Sequence, residues 1–281
     1  MAEGPILQPD RIVLPDPEHP LWQENKEQIT KTIQANIESF WNTETQQLTP
    51  YGLEQSLHEG LEAEKKFFNL VMESIDRLTL DSRSERLVLF DLDQTLVQNK
   101  YLSDYEETGI WEYECLIRPT AEIIMNHLKN IGVEMGVLSN RSISVLEENL
   151  QNPGRLGTLK QHISEKFILS SREGPDLLSP RWETLLKFNI TADGNLMPEV
   201  LKDEIVDAQK CAEILLQVRA EPKGQDRMMT NARKLNVLFM AARSFKDKAV
   251  LVIDDYKFPL ALDPKKHFYG GYVPPDAAYN I

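Results

Sequence analysis

The chain has 281 residues, 41% apolar and 27% charged, and its 31 basic and 44 acidic side chains give a net charge of -13. That balance fits one or two globular domains with a sizeable core, and it argues against a nucleic-acid backbone or an anionic membrane as the main partner, since both need a basic surface. Only 2 cysteines, Cys115 and Cys211, are present, which excludes a disulfide framework and a cysteine-rich zinc site. With no apolar run of membrane-spanning length and no basic-then-apolar leader, a cytoplasmic protein is expected.

In chain order, the first twenty or so residues are rich in Pro and Asp and read as an extended arm. Over 21–41, Ile29, Ile33, Ile37 and Phe40 recur at helical spacing. Thr49, Pro50 and Gly52 break that pattern, and a second helix then carries Leu53, Leu57, Leu61, Phe68, Val71, Ile75 and Leu78 on one stripe. Residues 1–80 are therefore expected to form an arm and a helical hairpin. Such a hairpin serves either as a module that binds a partner or covers substrate, or as an extension packed on the main domain.

The style changes for 81–281, the expected catalytic domain. LVLF at 87–90 is an unbroken apolar run, as a parallel strand buried on both faces requires. A helix over 121–129, a strand over 133–138, a helix over 142–149 and a strand over 166–169 follow. Asp193-Gly194 separates two strand-like runs within 187–197, which is a hairpin signal. Helices over 206–218 and 231–245 precede a last apolar run, AVLVI at 249–253. Alternating strands and helices predict an α/β fold, a Rossmann-like doubly wound parallel sheet with an N-terminal helical extension and a small insertion or cap at about 170–230.

The stretch LVLFDLDQTLV carries the chemistry. An apolar strand ends at Asp91, with Asp93 and Thr95 at alternate positions beyond it. In open α/β sheets, ligands sit just past the carboxyl ends of the strands. Two carboxylates this close raise each other's pKa unless a cation intervenes, and Mg²⁺ favours a few carboxylates plus water and phosphate oxygens. A bare D-x-D often only caps a turn. Here, however, MGVL ends in Ser139-Asn140 and AVLVI ends in Asp254-Asp255, so three buried strands deliver polar groups to one crevice.

LVLFDLDQTLV resembles the first motif of the haloacid dehalogenase superfamily, a hydrophobic strand followed by D-x-D-x-T; GVLSN resembles its second and LVIDD its fourth. The likeness runs from about residue 86 to 255. DLDQTLV followed by Arg118-Pro119 is also similar to phosphoprotein phosphatases acting on polymerase tails, although those usually end the fourth motif in Asp-Asn rather than Asp-Asp. The resemblance implies a Mg²⁺-dependent phosphatase with Asp91 as nucleophile, forming an aspartyl-phosphate. It makes Asp93 the acid and then base, with its backbone carbonyl on the metal. Thr95 would brace the loop by a side-chain hydrogen bond. Ser139 and the N–H of Asn140 would bind a phosphoryl oxygen, and Asp255 would ligate Mg²⁺ with Asp254 sharing the metal or holding its water. Apart from the resemblance, Arg141 after Ser139-Asn140 is placed either to reach substrate or to stand as a solvated charge at a helix start.

The third motif is a lysine near the start of the helix before the last strand. Lys234 fits, and Lys223 is the alternative. Between Thr95 and Arg118 there is room for a short flap, with Tyr101, Tyr105, Trp111 and Tyr113 available to line an entrance. A lightly capped site admits a phosphorylated protein side chain, whereas a closed cap suits a small metabolite. Two other readings stay open at this level: a catalytically silent binding or scaffold protein, and a phosphotransferase that passes the phosphoryl group to an acceptor other than water.

Overall fold

The structure, a computed structural model, describes residues 18–41, 50–101, 113–153, 155–171, 247–255 and 267–278, together with Lys234, Val237, Leu238 and Phe245. The expected hairpin in 187–197, the helix over 206–218 and the insertion at about 170–230 lie outside the described residues, apart from the insertion's first two.

Two long helices lead into the sheet, α1 (Pro20–Trp41) and α2 (Pro50–Thr79). Pro50 does not interrupt α2 but opens it; at the first helical position the missing N–H has no intrahelical partner to lose. Trp22, Ile29, Ile33 and Ile37 of α1 and Phe67, Phe68, Val71, Ile75 and Leu78 of α2 are buried in one cluster with Val88 and Phe90. The helices are thus part of the domain's own core, not a separate module.

Among the described residues, seven strands follow: β1 (Glu85–Phe90), β2 (Val97–Tyr101), β3 (Tyr113–Ile117), β4 (Glu134–Ser139), β5 (Ile168–Ser170), β6 (Lys248–Asp254) and β7 (Phe268–Tyr272). Between them run α3 (Pro119–Asn130) and α4 (Ile143–Gln151). Five strands make a parallel sheet in the order β5-β4-β1-β6-β7. Alternate residues of each strand face opposite sides. Val88, Phe90, Val137, Leu251 and Ile253 join the cluster of α1, α2 and α3. Leu87, Leu89, Leu138, Val250 and Val252 are equally buried but lie outside that cluster. On their side Phe167 packs on Phe245 with ring centroids 6.0 Å apart. A methyl at Gly136 would come within 2.4 Å of Phe167 Cβ and 2.9 Å of Leu89 Cδ2, which places these residues on one face and explains the glycine. Both faces of the central strands are covered, so the fold is the doubly wound α/β, Rossmann-like arrangement.

Two strands of the parallel sheet depart from the sequence expectation. The run expected at 166–169 splits: Glu165–Phe167 is a 3₁₀ turn and β5 begins at Ile168. β7, with the sequence FYGGY, carries no strand signal, because paired glycines depress strand propensity. A Cβ at Gly271 would lie 2.2 Å from Ile253 Cδ1, so a larger residue there would push that side chain aside.

One buried ion pair ties the helices to the sheet domain. Arg118 Nε lies 3.5 Å from Glu64 Oε2, both side chains being essentially inaccessible to water. Glu64 Oε1 also accepts from the Thr120 N–H at 2.9 Å and from the Thr120 hydroxyl. Arg118 donates to Ala277 O at 2.8 Å and stacks 3.6 Å above the Phe67 ring. Removing one partner of such a pair strands the other charge. Arg118→Met is expected to cost about 3–5 kcal/mol of folding stability, whereas Arg118→Met combined with Glu64→Gln costs clearly less. Denaturant unfolding of the two variants checks this; equal losses would show that packing, not charge, dominates here.

Candidate active site

The site forms where β1 ends. The sheet extends from β1 through β4 on one side and β6 on the other, and a crevice of this kind opens beyond the carboxyl ends at such a switch point. Asp91 is the first residue past β1, and its N–H still donates to Ile253 O at 2.9 Å, continuing the ladder with β6. The chain then turns sharply. Leu92 O accepts from the N–H groups of Thr95, Leu96 and Val97 at 3.2, 2.8 and 2.9 Å. Gln94 sits at φ 63°, in the left-handed region that non-glycine residues rarely adopt. Strain of this kind persists only where the surrounding contacts over-determine it.

Lys234 reaches into the centre of the site. Its ammonium lies 2.8 Å from Asp91 Oδ1 and 2.9 Å from Asp254 Oδ2, with all three side chains buried. Lys223 lies outside the described residues, so Lys234 is the lysine placed against Asp91. Burial would pull Lys234 down, but Asp91 and Asp254 more than offset this and hold its ammonium above the usual lysine range. Burial pushes the Asp91 carboxyl above the usual carboxylate range, against the pull of Lys234 and with a further push from Asp254 and Asp93.

Asp91, Asp254 and Asp255 bring one carboxylate oxygen each to within 4.8 Å of one another. One ammonium among three carboxylates leaves negative charge uncompensated, and the oxygen-only donor set suits a hard divalent cation. These residues therefore fit a metal. The Asp93 carboxylate is not part of this trio, which leaves only its backbone carbonyl for the metal contact expected of it.

The other expected residues divide. Ser139 is fully buried at the end of β4, and its Oγ accepts from the Arg141 N–H at 3.3 Å. Asn140 is half-buried, and its Oδ1 accepts from the Ser171 hydroxyl at 3.0 Å. Arg141 engages Asp93 through both oxygens: Nη2 is 2.5 Å from Oδ1 and Nε is 3.4 Å from Oδ2. The Thr95 hydroxyl is buried and makes no hydrogen bond among the described residues, so the loop is held by its backbone turn and not by the expected side-chain brace.

Sequence reasoning missed two contributions. Ser171, just past β5, supports Asn140 and donates its N–H to Ser139 O at 2.8 Å. Its signal was present in KFILSS, an apolar run ending in a polar pair like the other strands of the site. The flap is also more ordered than expected: β2 and β3 form an antiparallel hairpin that pairs Tyr101 with Tyr113. Tyr105 and Trp111 lie outside the described residues.

No family model, curated protein or solved structure matches the chain. Among the described residues, no helix is long and apolar enough to cross a membrane.

Proposed function

We propose that this chain is a Mg²⁺-dependent phosphomonoester hydrolase of the haloacid dehalogenase type, working through an aspartyl-phosphate at Asp91. The observation that carries the reading is the Lys234 ammonium wedged between Asp91 and Asp254, with Asp255 completing an acidic trio beyond two adjacent parallel strands. An isolated D-x-D that merely caps a turn has no use for a buried lysine.

In this mechanism an Asp91 oxygen attacks phosphorus, the ester P–O bond breaks, and Asp93 gives its proton to the leaving oxygen. Asp93 then takes a proton from water, whose oxygen attacks the aspartyl-phosphate, releasing inorganic phosphate and restoring Asp91. Lys234 offsets charge shared by nucleophile and phosphoryl oxygens. The Ser139 hydroxyl and the Asn140 N–H hold a phosphoryl oxygen. Asp91, Asp254, Asp255 and the Asp93 carbonyl would hold Mg²⁺, which when bound supplies the positive charge that lets a carboxylate approach an anionic ester. Between Thr95 and Arg118 the chain is too short for a cap domain, and on that ground a phosphorylated protein side chain is the proposed substrate. A cytoplasmic setting goes with this reading, and Cys115 is a buried free thiol.

A panel of phosphopeptides and small phosphate esters tests the proposal. Turnover is expected only with Mg²⁺, lost in excess chelator and poorly restored by Ca²⁺, whose looser shell misplaces the nucleophile. Full activity in chelator would remove the metal from the mechanism, and no turnover of any ester would remove the phosphatase.

A further inference from the structure

Arg141 was expected to face substrate, yet its guanidinium is committed elsewhere. It is side-on to Asp93, with one short contact to Oδ1 at 2.5 Å and one long contact to Oδ2 at 3.4 Å. Its Nη1 also donates to Cys115 Sγ at 3.8 Å, and its backbone N–H donates to Ser139 Oγ at 3.3 Å. Arg141 therefore touches the loop after β1, the end of β4 and flap strand β3 at once. Its side chain is only 10% exposed, whereas that of Asp93 is 45% exposed. A well-packed, planar donor grips a partly exposed carboxylate.

We propose that Arg141 is a positioning residue for Asp93, not a phosphate ligand. The role rests on the phosphatase reading above. The two contacts fix the plane in which the Asp93 carboxylate exchanges its proton with the leaving group and with water. The same guanidinium also contacts Cys115 of flap strand β3. A lysine keeps the charge but lacks the two-pronged geometry, so it cannot set the orientation of the carboxylate.

Leaving-group dependence separates this role from substrate binding. A nitrophenyl phosphate departs with little help from an acid, whereas an alkyl phosphate needs its oxygen protonated. The parameter to compare is kcat/KM, which covers steps up to departure of the leaving group when that step is irreversible. For Arg141→Ala the loss on the alkyl ester is expected to exceed that on the nitrophenyl ester by about tenfold or more, a fraction of what a general acid contributes. Arg141→Lys should not restore the alkyl ester rate, and Arg141→Ala placed on Asp93→Asn should add less than about a twofold loss, as residues acting as one unit do. Equal losses on both esters that persist in the Asp93→Asn background would make Arg141 a substrate contact and overturn the proposal. Absence of turnover in the wild type would overturn the phosphatase reading, and this role with it.

Discussion

Asp91→Asn is expected to abolish turnover, with a loss of at least about four orders of magnitude, because removing a covalent nucleophile takes away the reaction path itself. The amide keeps the shape of the side chain and an oxygen that can accept from the Lys234 ammonium, now 2.8 Å from Asp91 Oδ1. Lys234 also keeps its second carboxylate partner, Asp254, at 2.9 Å. Stability should therefore change little. Two measurements belong together here: the steady-state rate, and acid-stable labelling of the protein by a radiolabelled phosphate ester, which wild type shows and the variant lacks. A variant retaining more than about a hundredth of the wild-type rate would mean that another group attacks phosphorus.

Lys234→Ala is expected to fail in two separable ways. Turnover should fall by about 10²–10³, the usual cost of losing one preorganised charge partner of the transition state. The fold should also weaken, because Asp91 and Asp254 would face each other in a buried site with their ammonium removed. Breaking a buried charge pair costs about 3–5 kcal/mol. A divalent cation binding among the same carboxylates should return much of that, since a ligand that binds only the folded state stabilises it. The thermal midpoint of the variant should thus drop steeply in chelator and much less in Mg²⁺. An unchanged midpoint in chelator, with turnover retained, would return Lys234 to the status of an ordinary helix residue.

Much of the site was legible because it sits at the ends of strands. LVLF, MGVL and AVLVI are apolar runs that break abruptly at Asp91, Ser139 and Asp254, and such breaks mark where a buried strand leaves the core. Lys234 was legible from its place before the last strand, though its spacing to Asp91 across some 140 residues was not. What stayed hidden depends on long-range packing. FYGGY becomes a strand by parallel pairing with β6, which local propensity does not announce. The stripe on α2 announces a buried face but not that Glu64 on the same helix will meet Arg118 beneath it. Arg141 looks like any arginine at a helix start until β3 and Asp93 are folded against it.

The ladder bond from the Asp91 N–H to Ile253 O has a kinetic consequence. A nucleophile carried on a mobile loop must be ordered anew at each encounter, and that ordering appears as an unfavourable activation entropy. Asp91 has its backbone fixed by the central pair of strands before any substrate arrives, so this part of the entropy is lost once, on folding. In the proposed reaction the temperature dependence of the phosphorylation step should accordingly be dominated by enthalpy.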